Sequence, residues 1–103
     1  MISELAAEKA LDFLRESSKD FESLVEQARF KESMVKHIKA LEMKKWNEQS
    51  IGAQEREAYA SQRYLEAITE DAKATAVLRG CMERRDAAKT TISLYQSQVK
   101  DRA

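Results

Sequence analysis

Apolar residues recur along this chain at intervals of three and four. Ala7, Leu11, Leu14, Phe21, Val25 and Ala28 follow that spacing with an interruption at Ser18, and the stripe then drifts through Met34, Val35, Ile38, Leu41 and Trp46. Glu32 falls where a strict heptad wants an apolar side chain, so a stutter or local splay is expected near residues 29–34. The second half is more regular. Ala60, Tyr64, Ala67, Asp71, Ala74, Leu78, Cys81, Arg85, Ala88, Ile92, Tyr95 and Val99 keep 4,3 spacing, and only Asp71 and Arg85 depart from apolar character. A charge on a helix seam costs stability unless it is paired, so these two read as devices that set register and orientation. Leu65, Ile68, Ala72, Val77 and Met82 widen the stripe beyond what one neighbouring helix covers.

The punctuation agrees with two helical stretches. Ser3 is a suitable N-cap, with Glu4 and Glu8 near the positive end of the helix dipole. Helix one is predicted over about 3–47, a turn over 48–52 around Ser50-Ile51-Gly52, and helix two over about 53–101. Ser61 either caps a fresh helix or sits inside a continuous one; a short helix turning into a long one is preferred. With no proline, two glycines and 43% hydrophobic residues in 103, the chain is one all-α domain without a sheet.

Charge then adds topology. Residues 1–28 carry 3 basic and 7 acidic side chains, 29–50 carry 6 and 3, 51–77 carry 3 and 5, and 78–103 carry 6 and 3. Folding back at the turn lays the acidic first quarter along the basic last one and the basic second quarter along the acidic third. This is the charge register of a long antiparallel helical hairpin, coiled-coil-like in character. A two-helix hairpin encloses little core, so self-association into a dimer or higher homo-oligomer, as a helical bundle, is expected to complete it.

Few side chains invite chemistry. An acyl-transfer triad, a dinucleotide loop and a P-loop all need glycine-rich turns or converging polar groups, and Gly52 and Gly80 are the only glycines. His37, the sole histidine, has no metal-binding neighbours at helical spacing. Cys81 lies on the apolar stripe and reads as a small core residue, unable to form an internal disulfide. Glu4, Glu8, Asp12, Glu16 and Asp20 form an acidic helix face, whereas acid–base catalysis needs a cleft. No enzyme activity, metal, cofactor or small-molecule substrate is therefore expected. No apolar run approaches a membrane span, and the expected location is the cytosol.

Two surface features carry functional alternatives. The basic run Arg29, Lys31, Lys36, Lys39, Lys44 and Lys45, with His37 and Trp46 nearby, has the composition to grip nucleic-acid phosphates and stack a base; the net charge of zero and pairing with acids on the opposing helix weigh against it. At the turn, Met43, Trp46, Ile51 and Tyr59 either pin the loop or form an interaction hot spot.

The segment Ala53-Gln54-Glu55-Arg56-Glu57-Ala58-Tyr59-Ala60-Ser61, followed after two residues by Tyr64-Leu65 and a long helix, resembles a group of small helical proteins of tailed bacteriophages and prophages. In these a Lys-rich helix end precedes an Ala-Gln-Glu-Arg-Glu-Ala-Tyr-Ala-Ser-like motif. The resemblance covers about residues 35–80 and implies a product of the early replication or recombination region, in the host bacterial cytosol. Gln54, Glu55, Arg56, Glu57, Tyr59 and Ser61 are the shared positions. In place of the Arg/Trp-containing C-terminal end of such proteins, this chain has Ile92-Ser93-Leu94-Tyr95-Gln96-Ser97-Gln98. The expected role is a non-enzymatic accessory that binds a phage or host protein, with Met43, Trp46, Ile51, Gln54, Glu55, Arg56 and Tyr59 as contact residues. A nucleic-acid-binding recombination accessory and a virion assembly or scaffold component are the alternatives.

Overall fold

The computed structural model describes residues 1–102. They form α1 (Glu4–Glu16), α2 (Ser18–Lys44), α3 (Ile51–Tyr59) and α4 (Gln62–Arg102), and no strand occurs among the described residues. The chain is all-α and divides into two compact units, one of Met1–Ser23 with 78–102 and one of Leu24–Val77. Each is built by antiparallel pairing, as the order of contacts shows. In the first, Ile2 meets Gln98 while Leu14 and Ser17 meet Arg85. In the second, Lys31 meets Glu70 and Lys39 meets Glu55.

The seam on the N-terminal side is more regular than the apolar residues alone imply. Ala7, Ala10, Leu14, Ser17, Phe21, Leu24, Ala28, Lys31, Val35, Ile38 and Glu42 alternate steps of three and four, and every one is buried or half-buried. This heptad passes through Ser17, Lys31 and Glu42, three polar residues that disguise it. Leu11 is 40% exposed and lies beside the seam. Glu32 is exposed, off the seam, and α2 runs unbroken through 29–34, so the expected stutter is absent there.

The interruption is at Ser17 instead. Helix one is therefore two helices, and the second ends at Lys44 rather than near residue 47. Ser17 keeps near-helical angles, φ −86 and ψ −4, and its N–H still donates to the Phe13 carbonyl. The neighbouring Leu14 carbonyl accepts from Ser18 Oγ at 2.9 Å and from Arg85 Nη1 at 3.0 Å. Side chains thus enter the backbone ladder, the usual cause of a local helix defect.

The connection to α3 also differs from the predicted 48–52. Turn residues follow Lys44, and α3 starts at Ile51 with Ser50 as its N-cap, whose Oγ accepts from the Ala53 N–H at 3.3 Å. Gly52 lies inside the first turn of α3, and no glycine has a positive φ. Its freedom is not what makes the turn. At the α3–α4 junction Ser61 Oγ accepts from the Tyr64 N–H at 3.0 Å and donates to the Ala58 carbonyl at 2.9 Å, closing one helix and opening the next.

On α4 the seam positions from Tyr64 to Tyr95 are buried or half-buried, Asp71 and Arg85 included, whereas the first member of the series, Ala60, is exposed and its last, Val99, is 44% exposed. Fully buried volume is scarce. Among the described residues Ala7, Ile38, Ala58, Cys81 and Ala88 are the buried apolar ones, and no large side chain is completely enclosed.

Candidate functional site

The sequence places its candidate contacts at the turn between α2 and α3. There the Trp46 N–H donates to the Met43 carbonyl at 3.0 Å, and the Gln49 N–H donates to the Trp46 carbonyl at 2.9 Å. Gln54 Nε2 donates to the Gln49 carbonyl at 2.8 Å. Met43 and Gln54 are half-buried and belong to the turn's own construction. The apolar side chains of Trp46 and Ile51 stay outside it, 40% and 70% exposed, with Arg56 also exposed.

Glu55 and Tyr59 join a second cluster. Lys39 Nζ lies 4.7 Å from the Tyr59 ring centre and 3.9 Å from the Glu55 carboxylate. Tyr59 meets Tyr64 edge-on, with ring centres 5.3 Å apart. This ties α2 to α3 and α4 across the Ala60–Ser61 junction. The hydrogen bond with Tyr59 raises the Lys39 pKa above its ordinary 10.5; desolvation opposes it, and the charges of Tyr59, Glu55 and Tyr64 add to it. Both residues of the motif are thus occupied within the fold.

The basic run is divided likewise. Lys31 reaches Glu70 at 3.9 Å, and Lys45 reaches Glu42 at 2.6 Å. Glu42 is 5% exposed, a buried carboxylate on the seam whose nearby cation neutralises it. Arg29, Lys36 and Lys44 are exposed and form no ion pair among the described residues; His37 is exposed beside them. Steps of seven and eight keep these three cations on one outward side of α2.

Two ties lie outside what the sequence pattern singles out. Gln98 donates Nε2 to the Ile2 carbonyl and accepts the Ile2 N–H at Oε1, both at 2.9 Å, pinning the start of the chain to α4. Arg85 is a seam charge by its spacing, but its partners are not acids. It donates to the Leu14 carbonyl and to Ser17 Oγ at 2.6 Å, and its guanidinium stands 5.0 Å from the Phe21 ring centre. Asp71 is half-buried with no ion pair among the described residues. Cys81 is a buried free thiol.

No cluster of three or more metal-binding side chains occurs among the described residues, and none of their helices is long and apolar enough to cross a membrane. The chain matches no protein-family model, no curated protein and no solved structure. Function is therefore read from the side chains themselves.

Proposed function

We propose that this chain is a non-enzymatic accessory protein that binds another protein through the turn between α2 and α3. The carrying observation is the division of labour at that turn: Ser50, Gln49 and Gln54 spend their polar groups on holding it, while Trp46 and Ile51 stand 40% and 70% exposed. Exposed aromatic and aliphatic side chains on a braced turn supply hot-spot area at small ordering cost. The likeness of residues 53–61 to phage helical proteins supports a partner among phage replication or recombination components, or a host factor.

Trp46 is the only tryptophan, so its fluorescence reports the event directly. Binding of the partner should shift its emission to the blue, and Ile51→Asp should weaken binding by about 10-fold or more while leaving the thermal melt unchanged. Binding that is indifferent to both Ile51→Asp and Trp46→Ala would overturn the reading.

A second reading, nucleic-acid contact, has one observation in its favour: Arg29, Lys36 and Lys44 are free of ion pairs among the described residues, on one side of α2. Three phosphates neutralised would give a slope of about −2.7 for log affinity against log salt on duplex DNA. A flat salt dependence would remove this reading.

A further inference from the structure

The two units are closed by different means. In Leu24–Val77 the buried and half-buried side chains of α2 include Leu24, Val25, Met34, Val35, Ile38 and Leu41, and ion pairs reach Glu70 and Glu55 across the helices. In the other unit the buried and half-buried side chains of α1 are Ala6, Ala7, Ala10, Phe13 and Leu14. Apolar stabilisation scales with the area withdrawn from water, so a seam begun by three alanines holds α1 less firmly than branched and longer side chains hold α2. No ion pair joins α1 to α4 among the described residues. Glu4, Glu8 and Asp12, four apart on the exposed side of α1, repel one another.

What remains are polar ties at the two ends of α1, from Gln98 to Ile2 and from Arg85 to Leu14 and Ser17. Water replaces such bonds on release, so their net hold is modest. Ser17 bounds the segment. The Leu14 carbonyl is taken by Ser18 Oγ and Arg85, and the backbone ladder resumes with the Phe21 N–H on the Ser17 carbonyl at 2.8 Å. Helix lost up to this defect need not be lost beyond it, whereas an unbroken helix frays by degrees.

We propose that α1 is a separately opening unit, which leaves α4 and unravels as one piece up to Ser17 while Leu24–Val77 stays folded. Its 13 residues are too few to hold a helix alone in water, so release and unravelling are one event. Opening bares a strip of α4 that α1 otherwise shields. Ile92 and Tyr95 of that strip line a groove with Ala7 and Leu11, and Ala88, between Ile92 and Arg85, is buried. The chain thereby conceals an apolar surface distinct from the turn that carries Trp46 and Ile51, and presents it in the open state alone.

Native-state hydrogen exchange of the full chain, followed residue by residue at low urea concentrations, tests this. Relative to their intrinsic rates, amides from Glu8 to Glu16 should exchange about 100-fold or more faster than those from Val35 to Leu41. They should share one urea dependence, and the change to slow exchange should fall between Ser17 and Leu24. Gln98→Ala should quicken the α1 amides about 5-fold or more and leave those of Val35–Leu41 unchanged. Baring of the strip is read with Ala88→Cys in a Cys81→Ala background, whose alkylation should follow the urea dependence of the α1 amides. A graded rise in protection from Glu8 to Ala28 without a step, or α1 amides as slow as those of Val35–Leu41, overturns the proposal. So does Gln98→Ala changing both sets of amides or neither, or alkylation that follows the Val35–Leu41 amides instead.

Discussion

Arg85 gathers on one side chain several of the ties that hold Met1–Ser23 to 78–102. Its guanidinium satisfies a carbonyl and a hydroxyl at the Ser17 defect and covers the Phe21 ring, so Arg85→Ala should cost about 2 kcal/mol in urea unfolding. Arg85→Met, which fills the seam with apolar volume, should recover most of that loss. Among the apolar residues the cost follows enclosure. Ile38, 6% exposed, should lose about 2–4 kcal/mol on truncation to Ala. Leu78 and Ile92 are half-buried, and each should lose only about 1–2 kcal/mol. Lys39 gives a pH signature. Its pKa is raised in the folded state, so its contribution is complete below 10.5 and is lost as pH rises through the higher folded value. The difference in melting temperature between the native chain and Lys39→Met should hold through neutral pH and vanish on that alkaline side. At this scale the sequence discloses that Asp71 and Arg85 sit on a seam, but not their surroundings. The acceptors of Arg85 are a carbonyl and a hydroxyl about 70 residues away, which charge pairing does not single out.

At the scale of elements, α4 is legible almost residue by residue because small and aliphatic side chains hold its period from Tyr64 to Tyr95. The N-terminal seam is harder to read for a physical reason: Ser17, Lys31 and Glu42 occupy seam positions, and Leu11 and Val25 beside them imitate its spacing. A period taken from apolar residues alone drifts under those conditions. The cap at Ser3 and the hydrogen bonds of Ser61 are readable, since a serine hydroxyl at a helix start has a local role. Gly52 draws the expected turn towards itself, yet it is helical with a negative φ, and a Cβ at its position would meet nothing within 4 Å. Gly80, also inside a helix, would bring a Cβ no nearer than 3.4 Å to a flexible Arg84 side chain. Gly80→Ala should therefore raise stability by about 0.5–1 kcal/mol in the same unfolding assay.

For the molecule as a whole, the alternation of charge along the four quarters is realised unevenly. Between 29–50 and 51–77 it appears as two cross-helix ion pairs, each 3.9 Å long and partly exposed, worth a few tenths of a kcal/mol. Between the first and last quarters, polar ties from Gln98 and Arg85 do the joining. At the turn between α2 and α3, Trp46 and Ile51 stay exposed, where the proposed protein partner would dock. The most direct test is affinity purification of the tagged chain from cells in which it acts, with and without nuclease, alongside Trp46→Ala and Ile51→Asp. A partner that survives nuclease and is lost from both variants is the predicted result. Partners that vanish with nuclease and are retained by both variants would contradict protein binding through the turn.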